Sequence, residues 1–459
     1  MALIEKDLEA IEAPDREFLA PKFLPRKPIP DLGLERIEAE RFYSKEFMEQ
    51  EWEHIWTKTW QLALHVSELP EPGSFFVYEF GRESFLFTKD KNSVVRGFYN
   101  VCQHRGNILC QSPSGAADSF TCPFHGWEWN IDGTLKDVAD PDFFRQFDGG
   151  IPVDELGLSE VKTDTWGGFI WLNMDDDAMP LKEYLGEAGR HLESYEMEKR
   201  TYMDQQSFEW KGNWKHAVDA FNESYHFASL HPDMVEFGEG HDVPIELHGI
   251  HSRMMNYNAT VSEVVEDRET MTPLREHMMG RRWDDDAPVA AGPAKDIHLE
   301  AIKVKRAMED DTYLPYKKMN DEQLVHQYHY TFFPNATFTQ TPEGGAVFRY
   351  RPHATDPNIC YYDFIIMPQL PPGTPSPDVE RLVHPHGSPQ DYADAFKGNF
   401  DPILANVLRQ DGSNMETIQR GIKSKGFKGM LLCDQEIRLR HFHQTIDKFI
   451  SGELNARKA

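Results

Sequence analysis

Between residues 60 and 175 apolar and polar residues alternate in short runs. Ser74-Phe75-Phe76-Val77-Tyr78-Glu79-Phe80 and Gly168-Phe169-Ile170-Trp171-Leu172 are two of them, and Gly, Pro and Asp-Gly turns separate the runs. A period of two with frequent turns predicts an all-β module. Upstream, Lys45 to Trp56 carries apolar residues at helical spacing, with Ser44 in the N-cap position, which predicts a helix packed beside the module. Residues 1–41 are charged and carry Pro21, Pro25, Pro28 and Pro30 in quick succession, so they read as an extended arm, with the β module over 42–178.

From residue 179 to 459 the periodicity changes. Runs near Thr337 to Gln340, Ala346 to Arg351 and Cys360 to Met367 predict an antiparallel sheet, and Asp434 to Ile450 predicts a long C-terminal helix. This is an α+β domain. A polar excursion over 264–322, with Asp284-Asp285-Asp286 and Gly292-Pro293, reads as a lid or as a tolerated insertion.

Composition sets limits. The 459 residues, 40% hydrophobic and 27% charged, allow two or three soluble domains. No apolar run approaches the ~18 residues of a membrane span, and Met1 to Lys6 lacks the start of a signal peptide, so a cytoplasmic location is expected. The net charge of −28 argues against nucleic acid or an anionic membrane as partner. Two basic clusters, Lys303-Val304-Lys305-Arg306 and Lys423 to Lys428, are either docking points for a redox partner or solvated faces. Five cysteines are too few for a disulfide framework at this length.

Two of those cysteines sit in boxes with histidine: Cys102-Gln103-His104-Arg105-Gly106 and Cys122-Pro123-Phe124-His125-Gly126-Trp127. C-x-H with C-x-x-H is the ligand pattern of a Rieske [2Fe–2S] centre, in which two thiolates hold one iron and two imidazoles the other. Neutral imidazoles raise the potential of the iron they bind, so that iron takes up the electron. Structural zinc is the competing reading, but zinc sites group their cysteines two to four residues apart. Cys110, Cys360 and Cys433 remain as free thiols.

A second centre is suggested further on. His226 and His231 do not share a face of a regular helix, but Pro232 pushes the residue before it out of the α region, so His231 can turn back toward His226. Two imidazoles and one carboxylate form the facial triad of a non-haem Fe(II) oxygenase, which leaves positions open for O2. Taken alone, two histidines this close are more often ordinary core or surface residues.

With both sets of residues in view, the chain resembles the catalytic α subunit of Rieske non-haem iron aromatic-ring-hydroxylating oxygenases. Asn213-Trp214-Lys215 and Tyr225-His226 with His231 match the family's N-W-K and Y-H-x4-H elements, and Asp411 to Gly421 resembles the segment holding the ligating aspartate, including a downstream Q-R-G. The resemblance implies an α+β helix-grip (START-like) catalytic domain after the Rieske domain. It implies Cys102, His104, Cys122 and His125 on the cluster and His226, His231 and Asp411 on Fe(II), with Glu416 as rival carboxylate. Glu223 stands where many members have aspartate and would bridge His125 of one subunit to His226 of the next; Asp219, one turn earlier, is the fallback. Phe227 and Val407 would lie near the reacting carbon.

The activity implied is hydroxylation of a hydrophobic, aromatic compound with O2, by cis-dihydroxylation, monohydroxylation or oxidative dealkylation. Electrons would come from NAD(P)H through a separate ferredoxin or flavin reductase, since the chain has no dinucleotide fingerprint of its own. The assembly implied is a homotrimer (α3) or α3β3 with a small β subunit. The competing function is a Rieske electron-transfer protein without oxygen chemistry; a zinc-stabilised binding protein is the third.

Overall fold

The computed structural model describes residues 17–23, 27–280, 292–379, 381–385 and 401–455. Asp284-Asp285-Asp286 of the polar excursion lies outside them, as do Pro25 and residues 1–16 of the arm. Two compact units emerge: Trp56–Leu181, and Met1–Ile55 together with Lys182–Ala459.

The first unit is all β, as its alternation predicts. Strands β1 (Gln61–His65), β2 (Ser74–Phe80), β3 (Glu83–Lys89), β4 (Val95–Tyr99), β5 (Ser114–Ala116), β9 (Glu160–Trp166) and β10 (Phe169–Asn173) form one sheet in the order β1-β10-β9-β4-β3-β2-β5. Between β5 and β9, strands β6 (Ser119–Thr121), β7 (Glu128–Asn130) and β8 (Leu135–Asp137) form a small second sheet. Inward residues Phe75, Leu86, Phe98, Phe120 and Trp129 make a core that also takes in Cys102 and Cys122. Burial of this apolar surface, at roughly 25 cal/mol per Å², holds the two boxes' supporting strands together.

In the second unit, β11 (Asp204–Trp210), β12 (Gly238–Glu239), β13 (Ile245–His248), β14 (His251–Asn258), β15 (Gln327–Phe332), β16 (Ala336–Thr341), β17 (Gly344–Pro352), β18 (Cys360–Pro368) and β19 (Leu382–His384) form a sheet in the order β12-β14-β15-β16-β17-β18-β11-β19, with β13 beside β14. The central pairings are antiparallel, with His329 opposite Thr339, Thr339 opposite Ala346, and Ala346 opposite Ile366. The neighbouring rung on the same face is Thr331, Thr337, Phe348 and Phe364, because side chains alternate faces along each strand.

Helices cover that face. Among the described residues its helices are α1 (Lys45–Glu51), α2 (Leu181–Leu192), α3 (Trp214–Phe221), α4 (Phe227–Leu230), α5 (Pro273–Gly280), α6 (Ile297–Ala307), α7 (Asp321–Val325), α8 (Pro402–Gly421) and α9 (Ile437–Ile450). Phe221 at the end of α3 packs its ring 4.7 Å from Phe348, and Arg438 of α9 donates to Thr331 Oγ1 at 2.8 Å. The polar excursion thus contains helices α5 and α6 and part of α7.

Helix α1 joins this unit although the sequence reading put it in the range of the β module. The reason is electrostatic: the Glu51 carboxylate is buried and meets Lys215 Nζ of α3 at 2.5 Å, with both side chains at most 2% exposed. Ser44 caps the helix, its Oγ accepting from the Phe47 N–H.

Candidate metal centres

The two boxes fold alike. Cys102 N–H donates to the Asn107 carbonyl and Gly106 N–H to the Cys102 carbonyl; Cys122 N–H donates to Trp127 and Gly126 N–H to Cys122, in the same pattern. Gly106 and Gly126 close the two turns at φ +73° and +74°, a conformation that glycine adopts without strain. Each sulfur accepts backbone N–H bonds from its own turn, Cys102 from His104 and Arg105, Cys122 from Phe124 and His125. Such bonds stabilise thiolate.

The imidazoles face each other across the turns, His104 and His125 with ring centroids 4.7 Å apart. Trp127 stacks on His104 at 4.8 Å and fixes its plane. His104 Nδ1 is buried and has no hydrogen-bond partner, which is what a metal-ligating nitrogen looks like when only the protein is considered. The quartet therefore fits a [2Fe–2S] cluster. It does not form a group of ligand atoms lying within 4.8 Å of one another; among the described residues that property belongs to His226, His231 and Asp411. A single tetrahedral zinc ion would need the tighter grouping.

The second centre forms where α3 ends. The helix stops first at Phe221, a break that the proline does not account for; His226 then precedes the short α4, which ends at Leu230, so the chain leaves the helix again at His231, ahead of Pro232 as expected. His231, ahead of Pro232, has φ −118° and ψ 67°, outside the α region as its place before a proline requires. This turns both rings inward, with the two Nε2 atoms 3.2 Å apart. Asp411 Oδ1 of α8 lies 3.5 Å from His226 Nε2 and 3.2 Å from His231 Nε2.

Tautomers decide what this triangle can hold. His226 Nδ1 is hydrogen-bonded to Glu223 Oε1, and His231 Nδ1 lies 2.9 Å from Gln410 Oε1. Both partners accept, so each Nδ1 carries the proton and each Nε2 points a lone pair at the other and at the Asp411 carboxylate. Asp411 Oδ1 is itself buried without a hydrogen bond. Three converging lone pairs repel one another until a cation sits among them. The same field acts on His226: burial opposes its charged form, yet the Glu223 bond and the Glu223 and Asp411 charges outweigh burial and raise its pKa.

The sequence motifs turn out to be bonded to one another. Asn213 caps α3 through its side chain, which accepts from Lys215 N–H, while its own N–H donates to Gln419 Oε1 at 2.9 Å. Gln419 belongs to the Q-R-G segment of α8, so N-W-K and Q-R-G together set the spacing between the helix leading to His226 and the helix carrying Asp411. Trp214 Nε1 and Lys215 Nζ both bond the Glu51 carboxylate.

Glu223 also accepts from the Tyr225 and His226 N–H groups, which locks the turn. Asp219, the fallback, is engaged by His443, whose Nε2 it meets at 3.1 Å. Glu416 is not part of the triad; its exposed carboxylate lies 3.9 Å from Lys211. Phe227 packs so closely on Gly240 that a methyl there would come 2.5 Å from its Cβ. Val407 is half-buried one helical turn before Asp411 on the same side of α8. Of the first basic cluster, Lys305 pairs with Glu343 and Arg306 with Asp321 inside the fold, so these two side chains are structural, whereas Lys303 stays exposed beside Glu300.

Sequence reasoning missed Gln410. It stands next to Asp411, and a half-buried glutamine adjoining a ligand on a helix was the available signal.

Residues 192–452 match the family model for the ring hydroxylating alpha subunit (catalytic domain), and residues 59–148 match that for the Rieske [2Fe–2S] domain. The oxygenase subunit of glycine betaine monooxygenase from Pseudomonas aeruginosa is 29% identical over 196 residues, 42% of this chain and 44% of that protein. Biphenyl 2,3-dioxygenase subunit alpha from Rhodococcus jostii is 34% identical over 194 residues, 40% of this chain and 41% of that protein. The chain therefore spans under half the length of these two curated relatives. A solved quaternary ammonium Rieske monooxygenase, described for carnitine oxidation and inter-subunit electron transfer, superposes with TM-score 0.65 at 21% identity, covering 94% of this chain and 100% of that one. At that identity the likeness concerns the fold. No helix among the described residues is long and apolar enough to cross a membrane.

Proposed function

The chain belongs to the ring-hydroxylating alpha-subunit family, and on that premise we propose that it is the terminal oxygenase of a multicomponent system that hydroxylates a hydrophobic, aromatic compound. One observation carries the reading: the two Nε2 lone pairs and the orphaned Asp411 Oδ1 converge on one point, in a chain that also holds the Cys102, His104, Cys122, His125 quartet. A carrier of electrons alone has no use for the first set.

When bound, the cluster supplies single electrons and the mononuclear iron supplies adjacent open positions for O2. The protein's own residues do the rest. Glu223 and Gln410 hold the protons of His226 and His231 on Nδ1 and keep both Nε2 atoms free to ligate. The backbone N–H groups of the two boxes stabilise charge on the sulfurs, and Trp127 holds His104 in plane. Phe221, Phe348 and Phe364 pack ring to ring, and would supply an apolar wall that keeps water out and receives the substrate's hydrocarbon surface.

Glu223 would pass electrons on by joining His226 to His125 of a neighbouring copy, which calls for a homotrimer, alone or as α3β3 with a small β subunit. Reducing equivalents would come from NAD(P)H through a separate ferredoxin or flavin reductase. The aromatic wall supports an aromatic substrate, as the name of the biphenyl dioxygenase relative does; the betaine and carnitine relatives leave N-dealkylation as the second reaction to screen.

Iron, zinc and acid-labile sulfide per chain, measured with O2 uptake against a generic reductase, test the proposal. About three irons to two sulfides, with substrate-dependent O2 uptake abolished in His226→Ala, is the expected result. About two irons to two sulfides that no added Fe(II) increases would return the chain to the electron-carrier reading.

A further inference from the structure

We propose that His329 and Thr339 together form an anchor for a hydroxyl group on the substrate. The proposal rests on the oxygenase reading and narrows its substrate class to apolar compounds carrying an O–H.

The two residues face each other across β15 and β16, on the sheet face covered by α3 and α9. Both are buried, at 3% and 6% exposure, and each keeps a polar atom without a partner, His329 Nε2 and Thr339 Oγ1. An unsatisfied buried polar atom is unfavourable, and two on one rung demand a reason.

The adjoining rung sharpens the contrast. Thr331 Oγ1 bonds Asn222 Oδ1, Thr337 Oγ1 lies 3.0 Å from Thr331 Oγ1, Tyr350 Oη lies 3.3 Å from Thr337 Oγ1, and Arg438 donates to Thr331 at 2.8 Å. The hydroxyls of that rung are all engaged within the protein, although Arg438 keeps one unpartnered nitrogen, Nη1. One step along the strands, roughly 7 Å away, the His329 rung is left open. Its next member is Ala346, whose methyl covers little of the Thr339 hydroxyl.

Chemistry selects the ligand. The other ring nitrogen of His329 bonds the backbone of Phe221 in the sense that favours its protonation, so it donates to the carbonyl. Burial keeps the ring neutral by holding its pKa well below the ordinary value. Nε2 is therefore an acceptor with nothing to accept from. Thr339 can donate or accept. Together they suit one O–H, which gives its proton to Nε2 and takes the threonine's in return. They do not suit a carboxylate, which offers no proton. The rung also lies beside the aromatic wall, with the His329 and Phe348 rings 6.3 Å apart. Phe221, to which His329 is tied, leads directly into the turn carrying Glu223 and His226, so a substrate held here is indexed to the metal centre through one short segment.

The test is binding to the iron-replete, full-length protein by equilibrium dialysis, with hydroxyl and methyl compounds matched in shape: phenol and toluene, 2-naphthol and 2-methylnaphthalene, cyclohexanol and methylcyclohexane. The hydroxyl member of at least one pair should bind at least about tenfold tighter, and Thr339→Val and His329→Phe should each remove the preference while leaving the methyl partner's affinity unchanged. No preference in any pair, no binding of any hydroxyl compound, or a preference that survives both substitutions overturns the proposal. Thermal unfolding gives a readout independent of ligand: Thr339→Val should leave Tm unchanged or raise it, and a fall of several degrees would mean the hydroxyl is already satisfied and would equally overturn it. Because neither measurement needs turnover, a failure of the anchor is distinguishable from a failure of oxygenase activity.

Discussion

The side-chain oxygen of Gln410 lies 2.9 Å from Nδ1 of His231, across 179 positions of sequence. It fixes the tautomer of that ring from the residue adjoining Asp411. Gln410→Leu removes the acceptor but keeps the bulk, and should weaken Fe(II) retention about 10–100-fold while leaving the cluster's visible spectrum unchanged. Iron titration of the apo form against the parent protein decides it; equal affinities would strip Gln410 of the role.

Asp411→Ala should leave two histidines and no charge at the second centre. Iron should fall from about three to about two per chain with sulfide constant at about two, and O2 uptake should cease. Retention of all the iron would point to a different carboxylate.

Glu223→Gln keeps an acceptor near His226 and removes the charge. Both metals should stay bound, and electron transfer from cluster to mononuclear iron in a single turnover should slow by at least about tenfold. A rate equal to that of the unaltered protein would sink the bridge.

Lys215→Met strands the buried Glu51 carboxylate and should destabilise the protein by about 3–5 kcal/mol in denaturant melts. The double change Glu51→Leu with Lys215→Met should recover most of that loss, because the harm comes from one uncompensated buried charge. A double variant as unstable as the sum of the singles would show that packing, not charge, is at stake.

Acid should weaken the fold before the carboxylates protonate. Burial lowers the pKa of His65 and of His251 to about 4. Both then take up a proton more readily unfolded than folded, so their contribution is complete above the unfolded value of ~6.5, declines as pH falls toward about 4, and is constant below. For His251 the loss has a visible cause, since Nδ1 accepts from the Phe333 N–H and Nε2 is bonded to the Tyr184 carbonyl. Each residue accounts for at most about 3 kcal/mol over that window. Melts between pH 7 and 4 should become less steep with pH in His251→Gln; an identical slope would exclude the residue.

Much of this was legible in the residues because the chemistry is local. The cysteine–histidine boxes and the proline behind His231 act over a few positions, and strand alternation gave β2, β17 and β18 nearly to the residue. What was hidden depends on distant partners. Nothing around Glu51 announces a lysine on α3, so position along the chain alone groups α1 with the β module. Gln410 and His329 belong to residue types common in any core, and their meaning comes only from the atom each faces. The break at the proline is there, where α4 ends ahead of His231, but a second one precedes it at Phe221, where Glu223 offers the following N–H groups a side-chain acceptor in place of the helical carbonyls.

The Glu51–Lys215 pair also sets an order of events during biosynthesis. Glu51 leaves the ribosome 164 residues before its lysine, a wait of roughly ten to thirty seconds at ordinary synthesis rates. A carboxylate destined for a dry interior must stay hydrated in the meantime, while the whole of Trp56–Leu181 emerges behind it and has all its own strands to hand. The β unit is thus free to finish first and to receive its cluster while the Glu51 carboxylate waits in water for the helix that will bury it.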